Sequence, residues 1–79
     1  MRTINSNSSF SVGRRVETFK AYILGNILID VGRIGKITDV RRITLVDLLL
    51  FNIRVLDIDF DGEIISASES IIKNHMRLI

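Results

Sequence analysis

Three carboxylates, Asp57, Asp59 and Asp61, alternate along the segment DIDFDGEIISASE, and Gly62 follows them directly. A calcium-binding loop has oxygen ligands at its first, third and fifth positions, a glycine at its sixth and a bidentate glutamate at its twelfth. The twelfth position here is Ser68, and the nearest glutamate comes one residue later. The three aspartates are therefore candidate calcium ligands, although Glu69, which would bind the ion through both carboxylate oxygens, comes one residue too late.

The same segment permits two other interpretations. VLDIDFDGEII is similar to the strand-end DxDGT pattern of haloacid-dehalogenase-like phosphatases, but Glu63 occupies the threonine position. Too little chain follows to supply the lysine and the further acids of that chemistry, so we reject a phosphatase. Asp61–Gly62 between alternating apolar residues is typical of a β-hairpin with a two-residue turn. We favour this hairpin, which pairs LDIDF with EIISA and places the acids on an exposed face.

No other pattern indicates catalysis. The chain has no cysteine and one histidine, His75, so thiolate and multi-histidine metal sites are excluded. The serines at 66, 68 and 70 have no candidate base except His75. The glycines of GRIG lack the Lys-Ser/Thr ending of a phosphate-binding loop. We expect no enzyme, no cofactor and no small-molecule substrate.

The chain is short and apolar. It has 79 residues, of which 47% are hydrophobic, and a mean hydropathy of +0.32. A domain of this size is marginally stable alone, and without cysteine it has no disulfide to compensate. The excess of apolar side chains therefore predicts a homo- or hetero-oligomer.

The sequence contains no stretch that predicts insertion into a membrane. The longest charge-free apolar run, LLLFNI, is far too short for a span, and the N-terminus lacks the apolar core of a signal peptide. We expect an intracellular chain, in the nucleus or the cytoplasm, with no membrane partner.

Charge is distributed unevenly along the chain. Residues 1–56 carry nine bases and four acids, whereas residues 57–69 carry five acids and no base. This asymmetry permits a basic patch for nucleic acid, and it is equally consistent with a solvated surface of mixed charge.

The N-terminal part is expected to be helical after a flexible lead-in. Residues 1–11 are polar and rich in serine and asparagine, which leaves a single domain over residues 12–79. Gly25–Asn26 would end the helix, since both residues tolerate the left-handed conformation. The helix is predicted by apolar residues that recur at spacings of three and four: Val16, Phe19, Tyr22, Ile23 and Ile27.

Beyond this point the apolar period changes to two, which indicates strands. Gly32–Arg33 is a predicted turn, and Gly35 within IGKITDV marks a sharp bend or a close backbone approach. Ile43–Ile58 predicts a long strand that is apolar on both faces, with a buried helix over Val46–Phe51 as the alternative. The predicted fold is mostly β, a small, strongly bent antiparallel SH3-like (Sm-like) barrel with an N-terminal α-helix.

Three stretches resemble the Sm/Sm-like (LSm) family. VETFKAYILGNILIDV resembles its N-terminal helix and first strand, IDVGRIGKITDV the start of its first motif, and SIIKNHMRLI its second motif. The resemblance spans about residues 16–79. It implies a non-enzymatic assembly subunit of a ribonucleoprotein, such as those of mRNA processing, whose edge strands pair with Sm-like paralogues in a ring around RNA.

The positions that read a base in the family hold other residues here. Arg41 and Leu45 stand where the first motif has Asp and Asn, and Lys73 followed by Asn74 replaces the Arg-Gly of the second motif. The resemblance thus implies RNA contact with reduced base specificity, through backbone phosphates. The RNA-binding candidates are Arg41, Arg42, Lys73 and Asn74. The interface candidates are the apolar residues Leu48, Leu50, Ile71 and Ile72.

A second resemblance leaves the assignment open. GRIGKITDVRR is also similar to the KOW pattern, Gly-x-x-Gly-Lys-apolar followed by basic residues, which implies a monomeric SH3-like module of the KOW or PRC kind that binds protein or RNA. The Sm-like and KOW-like interpretations differ at residues 71–79. This segment would be the final strand of an Sm-like chain, and a capping helix in a KOW-like or PRC-like module. Ser66 and Glu69 fit a capping box for that helix.

Overall fold

The computed structural model describes residues 9–45 and 51–79, apart from the side chains at positions 45 and 51. These residues form short and long strands with a single turn of helix near the C-terminus. The elements are β1 (Arg15–Thr18), β2 (Tyr22–Leu24), β3 (Ile27–Ile29), β4 (Ile34–Leu45), β5 (Phe51–Phe60), β6 (Glu63–Ser68), α1 (Glu69–Lys73) and β7 (Met76–Leu78).

The strands form two antiparallel sheets. The larger has five strands in the order β6-β5-β4-β1-β7, and the smaller is the hairpin β2–β3. The prediction of a mostly β, antiparallel fold is therefore confirmed. The described strands do not close into a barrel, because β6 and β7 remain the two edges of the larger sheet.

The helix predicted from Val12 to its stop at Gly25–Asn26 is wrong, since this part of the chain contains β1, a loop and the strand β2 of the hairpin β2–β3. Val16 pairs with Gly35 of β4 and with Leu78 of β7, which are distant in sequence. Gly25, with φ of 59°, begins the hairpin turn that the helical prediction used as a C-cap. A short run of apolar residues can fit both the helical spacing and the strand period of two, and pairing with distant strands decides between helix and strand.

The single long strand expected over Ile43–Ile58 is also wrong. The chain reverses within it, so that the end of β4 pairs with the start of β5 at Leu45 and Phe51. Residues 46–50, including most of the alternative helix over Val46–Phe51, lie outside the described residues. Both arms of this hairpin extend past the strands that flank them, because β1 pairs only with residues 34–36 of β4 and β6 only with residues 55–60 of β5.

The hairpin predicted at Asp61–Gly62 is confirmed. Both residues have positive φ, 56° and 98°, as a two-residue turn of this hand requires. The turn joins Phe60 of β5 directly to its partner Glu63 of β6.

The C-terminal segment contains both a helix and a strand. Ser68, rather than Ser66, is the N-cap of α1, and its Oγ accepts a hydrogen bond from the Ile71 amide at 3.4 Å. After one turn the chain becomes extended again, and Met76 of β7 pairs with Thr18 of β1. Each of the two sequence-based versions therefore describes part of this segment.

The core lies between the larger sheet, the hairpin β2–β3 and α1. It is built from apolar side chains of nearly every element, of which the fully buried ones are Val16, Ile29, Ile37, Leu56, Ile58, Phe60, Ile72 and Met76. Phe10, from the segment assigned to the lead-in, is buried with them. Gly35 makes the predicted close approach, since a Cβ there would lie 2.7 Å from Ile58 Cγ2 and 2.7 Å from Phe60 Cε1.

Candidate functional site

Arg41 belongs to a polar network on the outer face of the larger sheet. Its Nη1 lies 2.8 Å from Asp57 Oδ2 and 3.0 Å from Asp39 Oδ2. Ser66 Oγ donates to the other oxygen of Asp57 at 2.6 Å. The hydrogen bond from Arg41, followed by that from Ser66, lowers the pKa of the Asp57 carboxyl. Arg41 is thus already paired with acids, which argues against its predicted contact with RNA.

The same network argues against calcium at Asp57, Asp59 and Asp61. Both oxygens of Asp57 are engaged, and Asp59 Oδ1 accepts the Gly62 amide at 2.6 Å, as part of the turn. The loop is flanked by β5 and β6, whereas a paired-helix calcium motif needs helices. Within residues 9–45 and 51–79, no group of three acidic or histidine side chains is placed to hold a metal ion.

A second cluster of charges lies on the opposite face, where β4 and β5 extend past the core. We call Arg42, Arg54, Lys73 and Glu69 the cation cluster. Arg54 Nη1 donates to Glu69 Oε2 at 2.7 Å, and Lys73 Nζ lies 3.8 Å from the same oxygen. Arg42 is directly opposite Arg54 in the β4–β5 pairing, so both side chains leave the same face.

A β-bulge decides which arginine joins this cluster. Ile37 pairs with Ile58 and Asp39 with Asp57, so Thr38 is the extra residue that shifts the alternation of β4. Without the bulge Arg41 would share the face of buried Ile37. With the bulge, Arg42 points to the core side and Arg41 to the outer face. The two neighbouring arginines, both predicted to bind RNA, therefore lie on opposite faces of the sheet.

Two members of the cation cluster, Arg54 and Glu69, line a cavity of ≈ 260 Å³ between β5 and the start of α1. Asn52 Oδ1 accepts a hydrogen bond from Thr44 Oγ1 at 3.0 Å, which leaves the amide N–H groups of Asn52 free to donate. Ser70 Oγ lies 3.3 Å from Ser68 Oγ. The cavity is lined by Asn52, Ile53, Arg54, Ser68, Glu69 and Ser70.

The predicted RNA-binding residues are therefore only partly brought together. Arg42 and Lys73 belong to the cation cluster, whereas Arg41 does not. Asn74 is the exposed C-cap of α1, where its amide donates to Ser70 O at 3.3 Å and Ile71 O at 3.1 Å. The sequence alone does not single out Arg54 or Asn52, because both lie within Ile43–Ile58, which is predicted to form one long buried strand.

The interface candidates have different environments. Leu48 and Leu50 lie outside the described residues. Ile71 is 43% exposed and can contact a partner, but Ile72 is 0% exposed and belongs to the chain's own core. The assignment of Ile72 to an interface is thus wrong, since neighbouring residues of a helix point in different directions.

Apolar side chains are exposed on the hairpin β2–β3. Ile23 and Leu28 are directly opposite each other and are 70% and 53% exposed. The other face of the hairpin carries Tyr22 and Ile29, which are buried in the core. The hairpin is therefore apolar on both faces, and among described strands β2 and β3 pair only with each other.

The chain was compared with known proteins by a scan of family models and by searches of curated proteins and solved structures, and none of the three found a match. In the part of the chain that the structure describes, no helix has the length and apolar character of a membrane span.

Proposed function

We propose that the chain is a non-enzymatic assembly subunit, in which the open edges of the larger sheet pair with neighbouring copies or with related chains, and which contacts RNA through backbone phosphates. The observation that carries the proposal is the strand order, since β6 and β7 each have one edge without a partner among the described strands. Unpaired strand edges expose a row of N–H and C=O groups that can template a further strand.

The composition of β6 supports a role for its edge in association. The strand has six residues, EIISAS, and beyond the exposed Glu63 at its start it contains no charged residue and no proline, the residues that commonly protect an edge. Ile64 is 56% exposed on its outer face. A neighbour's strand would cover this side chain and satisfy the free backbone groups.

We further propose that the larger sheet curls, without closing, into an open SH3-like or Sm-like barrel that keeps its two edges free. The helix α1 connects the two edge strands, and Ile72 of α1 packs into the same core as Val16 of β1 and Leu56 of β5. A connection of this kind brings the edges to the same side of the core. In such a barrel β6 and β7 would face adjacent subunits, which suits a head-to-tail ring.

The test is the mass of the assembly at micromolar concentration, measured by native mass spectrometry and light scattering. We expect an oligomer for the natural chain and a shift to monomer for Ile64→Lys, because a lysine on an edge strand opposes pairing. Leu24→Lys is the matched control, since Leu24 has the same exposed fraction of 56% but lies on the hairpin β2–β3. A monomeric natural chain contradicts the proposal, and so does dissociation by Leu24→Lys alone.

The hairpin β2–β3 favours a second candidate, a monomeric SH3-like interaction module. The hairpin is inserted between β1 and β4 and exposes Ile23 and Leu28 on a face without a partner strand. Such a surface suits a protein ligand. This candidate predicts a monomer in the same mass measurement, which separates it from the assembly subunit.

A further inference from the structure

We infer that the cavity lined by Arg54 and Asn52 is a binding site for a phosphate group of single-stranded RNA, held by Arg54 and the amide of Asn52, while Arg42, directly opposite Arg54, adds positive charge beside it. The inference rests on the RNA contact in the proposed function and names its location. It does not depend on the oligomeric state.

The first observation is an unbalanced set of charges. The cluster has three cations and one carboxylate, and two of the cations, Arg54 and Lys73, approach the same oxygen, Glu69 Oε2. Arg42 makes no ion pair or hydrogen bond with any described residue. Like charges directly opposite in a sheet repel, so the Arg42–Arg54 pair favours a bound anion.

The second observation is an excess of free hydrogen-bond donors. Only one nitrogen of Arg54 is paired with Glu69, and the remaining guanidinium N–H groups can donate elsewhere. The amide of Asn52 presents its N–H groups, because its oxygen is used by Thr44. A ligand for this cavity must therefore bring acceptors, and a phosphate has acceptor oxygens and negative charge.

The third observation concerns size. A cavity of ≈ 260 Å³ is smaller than the usual pockets for drug-sized ligands, which measure roughly 300–1,000 Å³. It suits one phosphate with part of its sugar, while the rest of a flexible polymer continues along the surface. The outer face is less suitable, because Arg41 there is already paired with Asp39 and Asp57.

The binding test uses the full-length chain and fluorescein-labelled oligo(U) and oligo(A), with fluorescence anisotropy measured at several salt concentrations. We expect the two RNAs to bind alike, since phosphates carry no sequence information. Arg42→Gln is expected to weaken binding of both about tenfold at low salt and to reduce the slope of log K against log salt by about one. Arg41→Gln removes the same charge from the neighbouring residue and should leave both quantities nearly unchanged.

Nuclear magnetic resonance locates the site with a second probe. Inorganic phosphate and oligo(U) should each shift the Asn52 side-chain amide and the Ser70 backbone amide in the natural chain, and much less in Arg42→Gln. Equal losses of RNA affinity in Arg41→Gln and Arg42→Gln overturn the inference. RNA binding that leaves the amide resonances of Asn52 and Ser70 unchanged also overturns it. If inorganic phosphate binds at this site but RNA does not, the inference that the site binds RNA is overturned.

The mass measurement separates the two proposals. Arg42→Gln should retain the mass of the natural assembly, because Arg42 lies on neither edge strand. A monomeric chain that binds RNA at Asn52 and Ser70 would refute assembly and support the site. An oligomer that binds no RNA would refute the site and support assembly.

Discussion

The guanidinium of Arg54 and the carboxylate of Glu69 join β5 to the first turn of α1 through a hydrogen bond of 2.7 Å. The side chains are 30% and 23% exposed, so the ion pair is partly shielded from water. It is therefore both a structural contact and the only negative charge in the cation cluster, and a variant at Glu69 should affect stability and RNA binding in opposite directions.

Glu69→Gln should lower the free energy of unfolding by about 1 kcal/mol, because a charge-assisted hydrogen bond becomes a neutral one. The same variant should tighten the binding of oligo(U), since it removes the carboxylate that competes with phosphate for Arg54. Urea unfolding and fluorescence anisotropy measure the two effects. Glu63→Gln, the same change at an exposed residue in β6, should change neither the free energy of unfolding nor the affinity for oligo(U) by much. Weaker RNA binding by Glu69→Gln would count against the phosphate site.

Gly35→Ala should destabilise the chain by about 1–3 kcal/mol in urea unfolding, as expected for an overpacked core. The new methyl group would lie 2.7 Å from Ile58 Cγ2 and from Phe60 Cε1, and neither side chain has an exposed direction in which to move. Gly25→Asn is the control, because Gly25 has φ of 59°, which asparagine tolerates, and no atom within 4 Å of a Cβ there. A Gly35→Ala variant that is as stable as Gly25→Asn would contradict the close packing at Gly35.

Stability should fall in acid through Asp57. Its pKa is lowered in the folded chain by Arg41 and then by Ser66, relative to an ordinary value of 3.8. Since the folded pKa is below the unfolded one, the contribution is complete above about pH 5 and is lost as the pH falls through the folded pKa. The unfolding free energy of Asp57→Asn, measured by urea between pH 2 and pH 6, should therefore depend less on acid, and Arg41→Gln should reproduce part of the change. An unchanged acid dependence in Asp57→Asn would contradict this role.

Calcium should not bind at the β5–β6 turn. Isothermal calorimetry is expected to give no heat at roughly millimolar calcium, the affinity of weak extracellular calcium modules. The physical reason is that Asp57 and Asp59 already accept hydrogen bonds from Arg41, Ser66 and the Gly62 amide. Saturable heat that is lost in Asp59→Asn would require these contacts to break, and would restore calcium as a ligand.

Local signals in the sequence predicted several features correctly, because each depends on only a few adjacent residues. Asp61–Gly62 forms the expected turn since these residues accept positive φ. A serine caps α1, although it is Ser68 rather than Ser66. Gly35 makes the close approach that a glycine within a strand suggests.

The errors arise where the outcome depends on distant partners. Residues 16–27 have apolar residues at helical spacing, but the pairing of Val16 with Gly35 and Leu78 makes them strands. Residues 43–58 alternate as one strand, but the pairing of Leu45 with Phe51 divides them into two. In both cases local periodicity allowed more than one structure, and long-range hydrogen bonding selected one.

By itself, the sequence determined that this chain is rich in strands, turns at Asp61–Gly62 and carries more basic than acidic residues before position 57. Only the tertiary structure decided where those bases point. The bulge at Thr38 shifts the alternation of β4 by one residue, which places Arg42 beside Arg54 and sends Arg41 to Asp57 on the other face. Because side chains alternate with a period of two, a single extra residue reverses every face assignment that follows it.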